Sequence, residues 1–139
     1  SIFTATERLR GYREALQQAG VAPDESLVKL GAHDAHTAER FAHELLALPE
    51  PPTALFTGNN RMTVGALRVL GRRPSGLALV GFDDIELAEM LAVPVALVAY
   101  DAAELGRQAA ELIVRRLAGD DGPPRRVVLS TTLVARGKQ

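Results

Sequence analysis

The chain has 139 residues, 47% of them apolar and 4% aromatic, with 16 basic against 17 acidic side chains. That length suits one domain with a real core, and the near-neutral, interspersed charge gives no nucleic-acid footprint within the chain itself. The absence of cysteine rules out disulfides, thiolate nucleophiles and Cys-ligated zinc and fits a reducing compartment, and no apolar stretch approaches a membrane span.

Helix and strand signals alternate along the chain. Thr4 is placed to cap a helix running to about residue 19, with Leu9, Tyr12, Leu16 and Ala19 on one face and Gly20 as its stop. The N-terminus leads straight into this charged helix, without the pattern of a signal peptide. Residues 27–30 are a short strand candidate, and a helix is expected over about 35–48 with Ala38, Phe41, Ala42, Leu45 and Leu46 inward. A strand over 53–57, a helix over about 61–70 and an apolar strand starting at Leu77 follow. Beyond them come a short helix over 86–91, a strand over 95–99 and a helix ending near Leu117, for which Asp101 and Glu104 resemble a capping box. Residues 126–130 and 133–135 are the last strand candidates. This alternation predicts an α/β fold of three layers, a mainly parallel sheet flanked by helices.

Four of the strand candidates stop at polar pairs: His33 and Asp34, Asn59 and Asn60, Asp83 and Asp84, Tyr100 and Asp101. In an open parallel sheet such ends converge on one edge, where ligands bind, and their carboxylates and amides suit a polyhydroxylated or amide-rich ligand. The same residue types are also ordinary helix caps, and that role is expected of Asn60 and Asp101. Asp83 stands apart, because Asp84 behind it can do the capping. His33, His36 and His43 lack three-ligand spacing, so no metal is expected. No nucleophile elbow, phosphate-binding loop or dinucleotide fingerprint is present, and the reading is of a protein that is not an enzyme and carries no cofactor.

Taken in order, the motifs are R-L-R-G-Y (8–12), P-T-A-L-F-T-G-N-N (52–60), M-T-V-G-A-L (62–67), L-V-G-F-D-D-I (79–85), E-L-G (104–106) and V-L-S-T-T-L-V-A-R (128–136). Together they resemble the effector-binding domain of LacI/GalR-family transcriptional regulators, which has the periplasmic-binding-protein-like type I fold. The resemblance implies that Arg8, Asn59 and Asp83 contact a small effector, with His33 at a position where the family often has a stacking aromatic, and Thr4 and Tyr100 beside the pocket. It also implies a cytoplasmic homodimer without membrane contact, for which Met62, Leu87, Met90 and Leu91 are the candidate interface residues. Operator DNA would be met only through an N-terminal helix-turn-helix that this chain lacks.

By the same resemblance, residues 1–94 are expected to be the C-terminal lobe without its first strand. Residues 95–130 would belong mainly to the other lobe, and 131–139 would form the return crossing and tail. The chain departs from the family pattern at Asn60, where aspartate is usual, at His33, and in a short connection over 71–76. A transport-type sugar-binding protein of the same fold is the rival reading. A flavodoxin-like domain using Asp83 and Asp84 for a metal is the other.

Overall fold

The computed structural model describes residues 3–71, 76–86 and 88–137. Its elements in order are α1 (Phe3–Gln18), α2 (Ala35–Leu46), β1 (Ala54–Thr57), α3 (Asn60–Leu70), β2 (Ala78–Phe82), β3 (Val95–Ala99), α4 (Ala102–Leu117) and β4 (Thr132–Arg136). Two single 3-10 turns, Glu25–Leu27 and Ala88–Met90, complete them. The four strands form one open sheet in the order β1-β2-β3-β4. The first three are parallel and β4 is antiparallel to β3. This is the expected α/β architecture with a mostly parallel sheet.

Alternation along the strands decides where the core sits. Leu55, Leu79, Val95 and Leu97 point to one face and are buried there together with Ala42 and Leu45 of α2 and Ala66, Val69 and Leu70 of α3. The two helices can press together because Gly65 has no side chain: a Cβ there would lie 2.4 Å from the carbonyl oxygen of Ala35 and 2.6 Å from the Ala38 Cβ. The opposite face, carrying Phe56, Val80, Phe82, Ala96 and Val98, is half-buried to exposed.

Helix ends follow their local chemistry. Asp34 caps α2 by accepting from the Thr37 N–H at 2.9 Å, and Asp101 caps α4 by accepting from the Glu104 N–H at 2.9 Å. Gly20 (φ +72°) stops α1 in a Schellman arrangement, with Val21 N–H donating to Leu16 and Gly20 N–H to Gln17. Gly119 (φ +91°) repeats it after α4, through Asp120 to Arg115 and Gly119 to Arg116.

The structure corrects several expectations. Thr4 does not cap α1, which already begins at Phe3. Residues 27–30 pair with no strand of the sheet; a 3-10 turn capped by Asp24 replaces the start of the expected strand, and Leu27 packs on the core edge. Residues 126–130 are likewise irregular, with Val128 74% exposed. A strand is stable only against a neighbour, and among the described residues neither segment finds one. Of the expected helix over 86–91, Ala88–Met90 form a 3-10 turn, and residue 87 lies outside the described residues.

The strand β3 is an integral part of the sheet and places Val95 and Leu97 in the core. Neither α1 nor α4 contains a buried residue, and Leu105, Ile113, Val114 and Leu117 of α4 are all exposed.

Candidate functional site

Because β1, β2 and β3 are parallel and adjacent, the segments that follow them emerge on one sheet edge. Gly58 and Asn59 follow β1, Asp83 and Asp84 follow β2, and Tyr100 and Asp101 follow β3. Arg8 reaches this edge from α1. Its guanidinium lies over the Phe82 ring, 3.7 Å from the centroid, and Nη1 donates to the Gly58 carbonyl at 2.5 Å. Nη2 stands 3.9 Å from Asp83 Oδ1. The ring supplies a cation–π contact of about 0.5–2 kcal/mol and a flat surface that fixes the guanidinium plane. The gap to Asp83 exceeds a hydrogen bond, so the two charges attract across space that a ligand oxygen can bridge.

Asp83 is the only non-glycine described residue with positive φ, at +72°. A left-handed conformation costs an aspartate on the order of 1–2 kcal/mol and is held here by neighbours. Its own N–H donates to the Val98 carbonyl at 3.1 Å, extending the β2–β3 ladder one residue past the strand. The carboxylate of Asp84 accepts from the Ile85 N–H at 2.9 Å and forms a forked pair with Arg136, Nη2 to Oδ2 at 2.6 Å and Nε to Oδ1 at 3.3 Å. Arg136, through these hydrogen bonds, holds the Asp84 carboxyl below the ordinary aspartate value, with the Ile85 N–H assisting against slight burial.

The capping role expected of Asn60 falls to Asn59. Asn59 is the α3 cap, its Oδ1 accepting from the Met62 N–H at 3.0 Å, and Asn60 is the first helical residue. Asn59 stays half-buried at the edge, and with Oδ1 committed to the cap its Nδ2 is the donor it can still offer there. Beneath it, the Thr57 and Thr63 hydroxyls are 2.7 Å apart, and Thr63 also donates to the Asn59 carbonyl at 3.1 Å. This buried pair ties the end of β1 to the start of α3.

The other sequence candidates sit less centrally. Thr4 is exposed one helical turn before Arg8, and Tyr100 is 39% exposed immediately after β3. His33 is exposed in the turn before α2, and among the described residues no hydrogen bond or ring contact joins it to Arg8 or Asp83. Leu87 lies outside the described residues; Met62 and Leu91 are half-buried and Met90 is 77% exposed. Among the described residues no group of three His, Asp or Glu side chains could hold a metal ion. Phe82 and Arg136 were not singled out by sequence reasoning. Strand alternation could have found Phe82, since inward Leu79 and Gly81 turn it outward, whereas nothing local points to the pairing of Arg136 with a residue so distant in sequence.

Residues 3–137 match the periplasmic binding protein-like domain family. The HTH-type transcriptional regulator CelR of Thermobifida fusca is 40% identical over 139 residues, covering 97% of this chain and 41% of that protein. The ribose operon repressor of Escherichia coli (strain K12) is 31% identical over 134 residues, covering 94% of this chain and 41% of the repressor. A solved CelR–cellobiose complex superposes with a TM-score of 0.83 at 40% identity, covering 94% of this chain and 41% of that one. A LacI-family regulatory protein from Chloroflexus aggregans does so with 0.84 at 30% identity, covering 95% and 49%. The chain thus spans about two fifths of the length of these curated relatives, which are transcriptional regulators rather than enzymes. The chain belongs to the periplasmic binding protein-like domain family, in the form carried by LacI-type transcriptional regulators.

Proposed function

We propose that this chain is the effector-binding part of a LacI-type regulator and that its ligand is a sugar or a related small polar metabolite. The observation that carries the reading is Arg8, laid on Phe82, anchored to Gly58 and facing Asp83 across 3.9 Å. A fixed fork of donors opposite a carboxylate acceptor matches vicinal hydroxyls, which both donate and accept. The related CelR structure is a complex with cellobiose, which makes β-linked glucosides the first ligands to try.

In this reading Arg8, Asp83 and Asn59 bind the ligand, with Thr4, His33 and Tyr100 around them. No catalysis is involved. The effector acts by favouring one lobe arrangement over another, and the lobe equilibrium changes how a homodimer presents its DNA-binding heads, which lie outside this chain. Residues 95–130 contribute chiefly to the second lobe. Met62, Met90 and Leu91, together with Leu87, are the proposed dimer contacts, and the working compartment is the cytoplasm.

Isothermal titration of the intact protein with cellobiose, ribose and nucleosides tests this. Saturable binding by one of them, lost in Asp83→Ala, is the expected result. Binding that is indifferent to both Asp83→Ala and Arg8→Ala would overturn the assignment of the site.

A further inference from the structure

Arg136 is the last residue of β4, and its side chain crosses to the turn after β2, 52 positions earlier in sequence. There it grips Asp84 with two nitrogens, at 2.6 and 3.3 Å. Asp84 is thereby held from two sides, by Arg136 and by the Ile85 N–H at 2.9 Å. Its immediate neighbour is Asp83, whose left-handed backbone aims the carboxylate toward Arg8. The end of β4 is itself seated tightly: a Cβ on Gly137 would meet the Val93 carbonyl oxygen at 2.2 Å, so the backbone carrying Arg136 has little freedom.

We propose that Arg136 is a positioning residue for the effector site: by clamping Asp84 it holds Asp83 in the left-handed conformation that presents its carboxylate to the ligand. The proposal rests on the effector-site reading of Asp83. A planar fork suits the task, because two parallel hydrogen bonds fix orientation as well as distance, which a lysine ammonium cannot do. The pair is partly exposed, with side-chain exposures of 30% and 39%, so its contribution to global stability is small and its effect is local. It also makes the site sensitive to β4. A movement of that strand against β3 would reach the turn that carries Asp83 through the Arg136–Asp84 fork.

The test is hydrogen–deuterium exchange on the intact protein, read on segment 82–85 and compared with β1 and β2, in wild type, Arg136→Gln and Arg136→Lys. Arg136→Gln is expected to accelerate exchange at Asp83 by about tenfold while β1 and β2 stay unchanged, because only a local opening is made easier. Arg136→Lys should fall between the two, keeping the charge but losing the fork. Unchanged exchange at segment 82–85, or acceleration spread equally over the sheet, overturns the proposal. Cellobiose titration separates the two readings. If Asp83→Ala abolishes binding and Arg136→Gln leaves it intact, the positioning role fails while the site stands. If cellobiose is indifferent to Asp83→Ala, the site reading fails, and the exchange result alone decides whether Arg136 holds the turn.

Discussion

The guanidinium of Arg8 and the ring of Phe82 lie 3.7 Å apart, helix against strand end, and this contact brings α1 to the edge of the sheet where β1, β2 and β3 end. Most of α1 touches little else, since it contains no buried residue. Arg8→Lys keeps the charge but removes both the flat stacking contact and the fork. Effector affinity is expected to fall about tenfold or more, with the melting temperature nearly unchanged because the contact is at the periphery of the fold. Calorimetric titration beside a thermal scan checks both halves.

Gly65 governs the α2–α3 contact. Alanine in a helix normally gains up to about 1 kcal/mol over glycine. Here the added methyl would lie 2.4 Å from a backbone oxygen and 2.6 Å from Ala38 Cβ, neither of which is a flexible side-chain end. Overpacking costs about 1–3 kcal/mol and wins. Urea denaturation of Gly65→Ala should therefore show a lower midpoint, and a midpoint equal to or above wild type would refute the close-packing account.

The Thr57–Thr63 hydroxyl pair is buried and gives each hydroxyl a partner beneath Asn59. Thr63→Val removes one partner and is expected to destabilise by about 1–2 kcal/mol. In Thr57→Val/Thr63→Val both hydroxyls go together, and the double variant should lose less than the sum of the single ones. Strict additivity in chemical denaturation would mean that the two hydroxyls do not act as a unit.

Acid should weaken the Arg136–Asp84 link. Arg136 holds the Asp84 carboxyl below its ordinary value, so the contribution of the pair is fully present above the unfolded-state pKa, near 4, and is lost as pH falls through the lower folded value. Solvent screening keeps the effect to a fraction of a kcal/mol. The expected sign is a melting temperature that drops as pH is lowered below about 4, with a shallower drop in Asp84→Asn. A scan in which both proteins respond identically would assign the acid sensitivity elsewhere. Glu104, drawn to about 2 by hydrogen bonds from Arg107 and Gln108, is partly exposed on α4, where solvent screens its pairing with Arg107.

Helix α4 leaves Leu105, Ile113, Val114 and Leu117 between 47% and 83% exposed. An apolar face of that kind needs a cover. The 139-residue chain by itself is expected to be marginally stable or to self-associate, and placing a charge on this face, as in Ile113→Glu, should reduce association. Sedimentation showing a monomer that melts cooperatively would count against this expectation.

Much of the architecture is local in origin and was visible in the residues. The apolar runs of β1, β2 and β3, the caps Asp34 and Asp101, and the stop Gly20 act through neighbours within a few positions. The strand ends with their polar pairs follow from the same patterns. Whether residues 27–30 or 126–130 become strands depends instead on a hydrogen-bonding neighbour, which the sequence pattern does not contain. The choice of Asn59 over Asn60 as the α3 cap turned on where the helix begins against the β1 end, a matter of backbone geometry.

Periodicity and short-range hydrogen bonding write the alternation of helix and strand, and the family motifs, into the residues themselves. That Arg8 rests on Phe82, that Asp83 is left-handed and that Arg136 holds Asp84 follows only from how the folded elements pack. The two contacts join residues far apart in the chain, 52 positions in the case of Arg136 and Asp84, and packing rather than local preference sets their distances.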